Sequence, residues 1–143
     1  MAMTSLEIPA DQALFDGTLV GVVAPFYENE RPVRGLAGRL DWRLGGVISR
    51  GLLRGVLTGR PGECAYLPVN FHGRVHHLIL VGGGFLSRYG KRGLIPDESF
   101  ASLRKNLETL KLEKVALSRA DFGGLTDEYL EKQLGKAAPW IAP

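Results

Sequence analysis

A chain of 143 residues has the length of one domain. Its 45% hydrophobic and 23% charged residues lie near globular averages, which excludes a disordered chain, a coiled coil and a disulfide scaffold. The net charge of +3 hides an asymmetry: residues 1–30 carry a net −5 with no base, residues 31–92 a net +9, and residues 93–143 a net −1. Such a basic block attracts polyanions or is neutralised by the acidic ends of the same chain or a neighbouring one. No apolar run approaches the roughly twenty residues of a membrane-spanning helix, so no membrane association is expected. Residues 1–15 carry Glu7 and Asp11 and no base, unlike a secretory signal. The lone cysteine, Cys64, fits a reducing cytoplasm.

The first element is the valine-rich run 18–26, opened by Asp16-Gly17 and closed by Pro25; without alternation it reads as a strand buried on both faces. Leu36, Leu40 and Leu44 recur every four residues and predict a helix over 34–44. Gly45-Gly46 interrupts it, and the apolar positions of 47–57 predict a second helix. Residues 58–62 are a turn by composition. A strand over 63–69 follows, and Pro68 inside it implies that it lies at an edge or ends early. Residues 75–81 (V-H-H-L-I-L-V) form the strongest strand and end at Gly82-Gly83-Gly84. Only residues 70–74 separate these two strands, which makes the pair antiparallel, centred on His72 with Cys64 opposite Leu80.

Pro96-Asp97-Glu98-Ser99 is a helix start, and Phe100, Leu103, Leu107 and Leu110 give the helix one apolar stripe. A short strand at 114–118, a loop at 121–124 and a helix at 126–134 capped by Thr126 complete the order. The fold class that follows is α/β, a three-layer arrangement with a mixed, mostly parallel sheet flanked by helices. Residues 1–143 form a single domain, with 1–17 and 137–143 peripheral.

Two groups of residues are candidate sites. Gly82, Gly83 and Gly84 lie at the C-terminal end of the best strand, where open α/β sheets take ligands, and bare N–H groups there with Arg88 would cradle a phosphate. The alternative is a glycine turn that lets the strand exit against a packed neighbour. The dinucleotide pattern fails at Ser87, and the P-loop spacing fails at Gly90-Lys91. Arg39, Arg43, Arg50 and Arg54, spaced 4, 7 and 4, would lie on one side of a helix and form an interaction surface, unless the two helices separated by Gly45-Gly46 break that register; the alternative is a solvated or salt-bridged face. His76 and His77 are consecutive on a strand and point to opposite faces, so no metal site is assigned. No serine has a nucleophile-elbow setting, Cys64 sits in an apolar strand, and paired carboxylates are not visible; no catalytic residue and no cofactor are assigned.

Three strings, Leu44-Gly45-Gly46-Val47-Ile48-Ser49, Thr58-Gly59-Arg60-Pro61-Gly62-Glu63 and Leu80-Val81-Gly82-Gly83-Gly84, resemble the N-terminal domain of leucyl aminopeptidases. The resemblance covers residues 18–118. It implies a macro-domain-like α/β unit without the active site, which in that family lies in a two-metal C-terminal domain whose signature is absent here. Gly83 departs from the larger residue usual at that position, and residues 85–94 are longer and more basic than usual.

The function that the resemblance implies is a non-catalytic accessory or assembly domain, acting through protein contacts with itself or with a separate peptidase-like protein. One alternative is a macro-domain-like binder of ADP-ribose or another nucleotide phosphate, resting on the glycine loop. A second is DNA binding through the arginine face, which the lack of interleaved aromatic residues disfavours.

Overall fold

The computed structural model describes residues 4–87, 92–137 and 139–143. Five strands form one sheet in the order β2-β3-β1-β4-β5. At its centre lies β1 (Gly21–Phe26), in which every residue is buried, as the unbroken apolar run predicts. It pairs in parallel with β3 (Arg74–Gly82) on one side and with β4 (Val115–Ser118) on the other. β2 (Cys64–Phe71) is antiparallel to β3 and forms an edge, where Pro68 loses no ladder hydrogen bond. The three-layer α/β arrangement with a mixed, mostly parallel sheet is therefore the observed fold.

The helices cover the two faces. Against one face pack α1 (Ala10–Asp16), α2 (Gly35–Arg43) and α3 (Val47–Leu53), with Leu14, Leu36, Leu40 and Ile48 buried on Val22, Ala24, Leu78 and Leu80. Against the other pack α4 (Asp97–Leu110) and α5 (Asp127–Leu134), with Phe100, Leu103, Leu130 and Leu134 on Val23, Ile79, Val81 and Leu117. Thr126 caps α5 through Tyr129 N–H. Among the described residues no helix is long and apolar enough to cross a membrane.

Four expectations need correction. The hairpin pairs Cys64 with Val81, not Leu80, and Phe71 with Arg74. His72 and Gly73 both take positive φ, 52° and 77°, so a two-residue turn centres the hairpin between them rather than on His72. The helix of 47–57 stops at Leu53, leaving Leu53 and Val56 exposed. The ends of the chain are not peripheral: α1 buries Ala10, Ala13 and Leu14, and β5 (Trp140–Ala142) extends the sheet in parallel beside β4. Within 121–124, Asp121 and Phe122 belong to a 3-10 turn over Arg119–Phe122 and are buried.

Candidate functional site

Because β1, β3 and β4 are parallel, their C-terminal ends open on one side of the sheet, and the segments 27–34, 83–87, 92–96 and 119–126 follow them there. Gly82, Gly83 and Gly84 lie at this mouth. Their N–H groups are committed: Gly82 donates to Glu63 O, Gly83 to Phe26 O and Gly84 to Gly59 O, each at 2.8 Å. The bare donors expected from the sequence are thus engaged with backbone. Packing accounts for the glycines. A Cβ at Gly82 would lie 2.0 Å from Arg60 O, and one at Gly83 would lie 2.3 Å from Cε1 of Tyr27. The turn at 58–63 that supplies two of these carbonyls is closed by the Glu63 carboxylate, which accepts from the N–H groups of Thr58 and Gly59. Ser99 of α4 fastens both parts, accepting from Gly62 N–H at 2.8 Å and donating to Gly82 O at 2.6 Å.

A partly buried ionic network adjoins Tyr27. The Arg92 guanidinium donates twice to Glu30, at 2.7 and 3.0 Å, and lies 3.9 Å from Asp121. Asp121 Oδ1 accepts from Leu36 N–H at 3.0 Å, satisfying a free donor in the first turn of α2, and Glu30 accepts from Arg34 N–H. Burial opposes the charge on Arg92, but the Glu30 carboxylate outweighs it and holds the guanidinium above its ordinary pKa. Tyr27 is buried under Arg92, and its hydroxyl accepts from Gly93 N–H at 2.6 Å. Burial raises the Tyr27 pKa, so the hydroxyl stays protonated. Sequence reasoning missed this network, because charged residues in loops are ordinarily solvated.

The loops after β1 and β3 are joined at the surface. The Asn29 amide donates to Leu86 O at 2.6 Å and accepts from Leu86 N–H at 2.8 Å, and Glu28 N–H donates to Gly84 O. Outside this clasp stand two exposed groups: the Phe85 ring, 73% exposed, and the Arg60 guanidinium, 3.9 Å from Glu28. Their loops touch, since Gly84 packs on Pro61. Arg88, the cation expected to serve the glycine loop, lies outside the described residues.

The four surface arginines do not form one row. Arg39 pairs with Asp11 at 3.1 Å, and Arg43 lies 4.2 Å above the Phe15 ring. Arg50 turns back to Gly45 O, and Arg54 caps the end of α3. Gly45 and Gly46, both at positive φ, redirect the chain between the two helices. Ion pairs Asp11–Arg39, Glu28–Arg60 and Glu30–Arg92 show the acidic N-terminal segment neutralising part of the basic block within the chain. His76 is buried beside Phe15 and Phe71, while His77 stacks on Tyr66 and meets its hydroxyl at 2.6 Å. Among the described residues no group of three or more His, Cys, Asp or Glu is arranged to hold a metal ion.

No protein-family model matches this sequence, and no curated protein matches it. Solved structures do. The chain is similar to the macrodomain of Mycobacterium tuberculosis DarG, at 18% identity and a TM-score of 0.65, over 97% of this chain and 98% of that one. It is similar to the macrodomain of Thermus aquaticus DarG, at 13% identity and a TM-score of 0.64, over 98% and 96%. A mutant tomato leucine aminopeptidase matches at 17% identity and a TM-score of 0.54, over 94% of this chain and 26% of that one. At these identities the likeness establishes the fold, which is macro-domain-like.

Proposed function

We propose that this chain is a macro-domain-like binder of ADP-ribose or another nucleotide phosphate, taken at the C-terminal mouth of the sheet. The observation that carries the reading is the pairing there of an exposed aromatic ring, Phe85, with an exposed guanidinium, Arg60, on touching loops. A ring offers a stacking surface to a base, and a guanidinium offers a planar, two-pronged donor to a phosphate. The likeness to two macrodomains over nearly the whole of both chains supports the same choice. Since the N–H groups of Gly82, Gly83 and Gly84 are already used, the phosphate is assigned to Arg60 and Arg88, and the glycines shape the rim. The test is thermal unfolding with saturating ADP-ribose, ADP or ribose 5-phosphate. A ligand that binds only the folded chain at about 100 times its Kd adds about 2.7 kcal/mol of stability. The reading expects ADP-ribose and ADP to raise Tm in the native chain and less in Arg60→Ala. No shift with any of the three overturns it.

A second reading, a non-catalytic accessory or assembly domain beside a peptidase-like protein, is favoured by one observation. The Asn29–Leu86 clasp and the committed glycine donors hold the loops after β1 and β3 together, which leaves less room for a ligand between them. It expects no nucleotide response, together with concentration-dependent association in sedimentation.

A further inference from the structure

A groove of about 490 Å³ runs along the outer flank of α2, from the segment at Val33–Arg34 to Trp42 and Arg43. Val33 and Arg34 stand at its upper end and Trp42 and Arg43 at its lower end, with Arg39 and Asp11 between them. Trp42 is 82% exposed, so its indole contributes little to the core. Asp11 already holds Arg39, while Arg43 lies over an aromatic ring, and among the described residues neither Arg34 nor Arg43 has a carboxylate partner. The groove therefore combines a large uncovered aromatic side chain with two guanidinium groups that have no carboxylate partner among the described residues. Tryptophan and arginine are the residues that most often dominate protein interfaces.

We propose that this groove docks an acidic segment of another protein that carries an apolar side chain. Charge complementarity selects the occupant. Among the described residues the one acidic side chain lining the groove, Asp11, is seated on a guanidinium, which shows the chemistry the walls accept, and arginine pairs with carboxylates in a planar, bidentate way. The concavity beside Trp42 suits a projecting apolar side chain, which a flat bilayer surface does not offer. A duplex would need a continuous row of cations, and Arg50 and Arg54 lie beyond the redirecting pair Gly45-Gly46. The docking is separate from nucleotide binding: it uses the flank of α2, and its failure leaves that reading untouched.

The test is fluorescence anisotropy with labelled twelve-residue peptides on the full chain without nucleotide. One peptide repeats Glu-Glu-Leu, one is all Glu and one repeats Lys-Lys-Leu. A duplex and phosphatidylserine vesicles serve as competing probes. The Glu-Glu-Leu peptide is expected to bind, to shift the indole emission to the blue, and to bind at least about tenfold more weakly to Trp42→Ala and to Arg34→Glu/Arg43→Glu. Both variants change exposed side chains, and their unfolding curves check that they fold. The proposal is overturned if the peptide does not bind, if the all-Glu peptide binds equally well, if the variants bind unchanged, or if duplex or vesicles bind more tightly with the same sensitivity to these substitutions.

Discussion

Arg92, entering from the loop after β3, grips Glu30 in the loop after β1 with two hydrogen bonds of 2.7 and 3.0 Å. The Glu30 side chain is only 8% exposed, whereas Arg92 is 32% exposed. Removing the cation would strand a buried carboxylate, which costs more than the pair itself contributes. Arg92→Ala is expected to destabilise the fold by about 2–4 kcal/mol, and Glu30→Gln with Arg92→Ala by less than the sum of the two single changes. Urea unfolding of the four proteins measures this. Additive effects would show that the two side chains do not depend on each other.

Gly83 faces the Tyr27 ring so closely that a methyl group has no space. Gly83→Ala is expected to cost at least about 1–3 kcal/mol through overpacking. Gly45→Ala meets no atom within 4 Å, so it carries only the strain of its positive φ, about 1 kcal/mol. Equal losses in denaturant unfolding would contradict the packing account.

His76 is expected to make stability depend on pH. It is buried, its Nδ1 lies 3.0 Å from Arg74 O and its Nε2 lies 3.4 Å from the Arg74 guanidinium. Burial, with the Arg74 charge adding to it, holds its pKa below the ordinary 6.5, and burial lowers His77 in the same direction. The unfolded chain therefore binds more protons between the two pKa values. Stability is full above about pH 6.5 and is lost as pH falls toward the folded value. Replacing His76 with Phe, between Phe15 and Phe71, should flatten this slope. An unchanged slope in the variant would assign the effect elsewhere.

Cys64 is expected to be inert in the folded chain. Burial, with the Glu63 charge adding to it, pushes its thiol up to about 12. At pH 8 the thiolate fraction is then on the order of 10⁻⁴. Iodoacetamide should label Cys64 in urea and scarcely at all in buffer. Comparable rates in the two would contradict the raised thiol pKa of this partly buried side chain.

The sheet was legible in the sequence because burial leaves marks of composition. The run at 18–26 is apolar throughout since β1 is covered on both faces, and Pro68 marks the edge since it cannot donate. α1 was not legible: seven residues with Ala10, Ala13 and Leu14 inward give too short a period to register. β5 has only three residues, and its position comes from pairing with β4 rather than from propensity. The hairpin register was missed by one residue because His72, unusually for a non-glycine, takes positive φ. At the site, the glycines were found but their donors were not traceable. Gly59, Phe26 and Glu63, whose carbonyls take them, lie 19 to 57 residues away in the chain. The four arginines were found, and Gly45-Gly46, read as an interruption between two helices, redirects the chain between Arg43 and Arg50.

The central claim is that a nucleotide phosphate is taken at the mouth of the sheet. An amide-resolved NMR titration with ADP-ribose tests it most directly, because it reports where as well as whether the ligand binds. The account predicts saturable shifts at Asn29, Arg60, Phe85 and Leu86, weakened in Arg60→Ala and leaving the lower α2 flank from Gly38 to Arg43 unmoved. A spectrum that does not change, or changes confined to that flank, would contradict it.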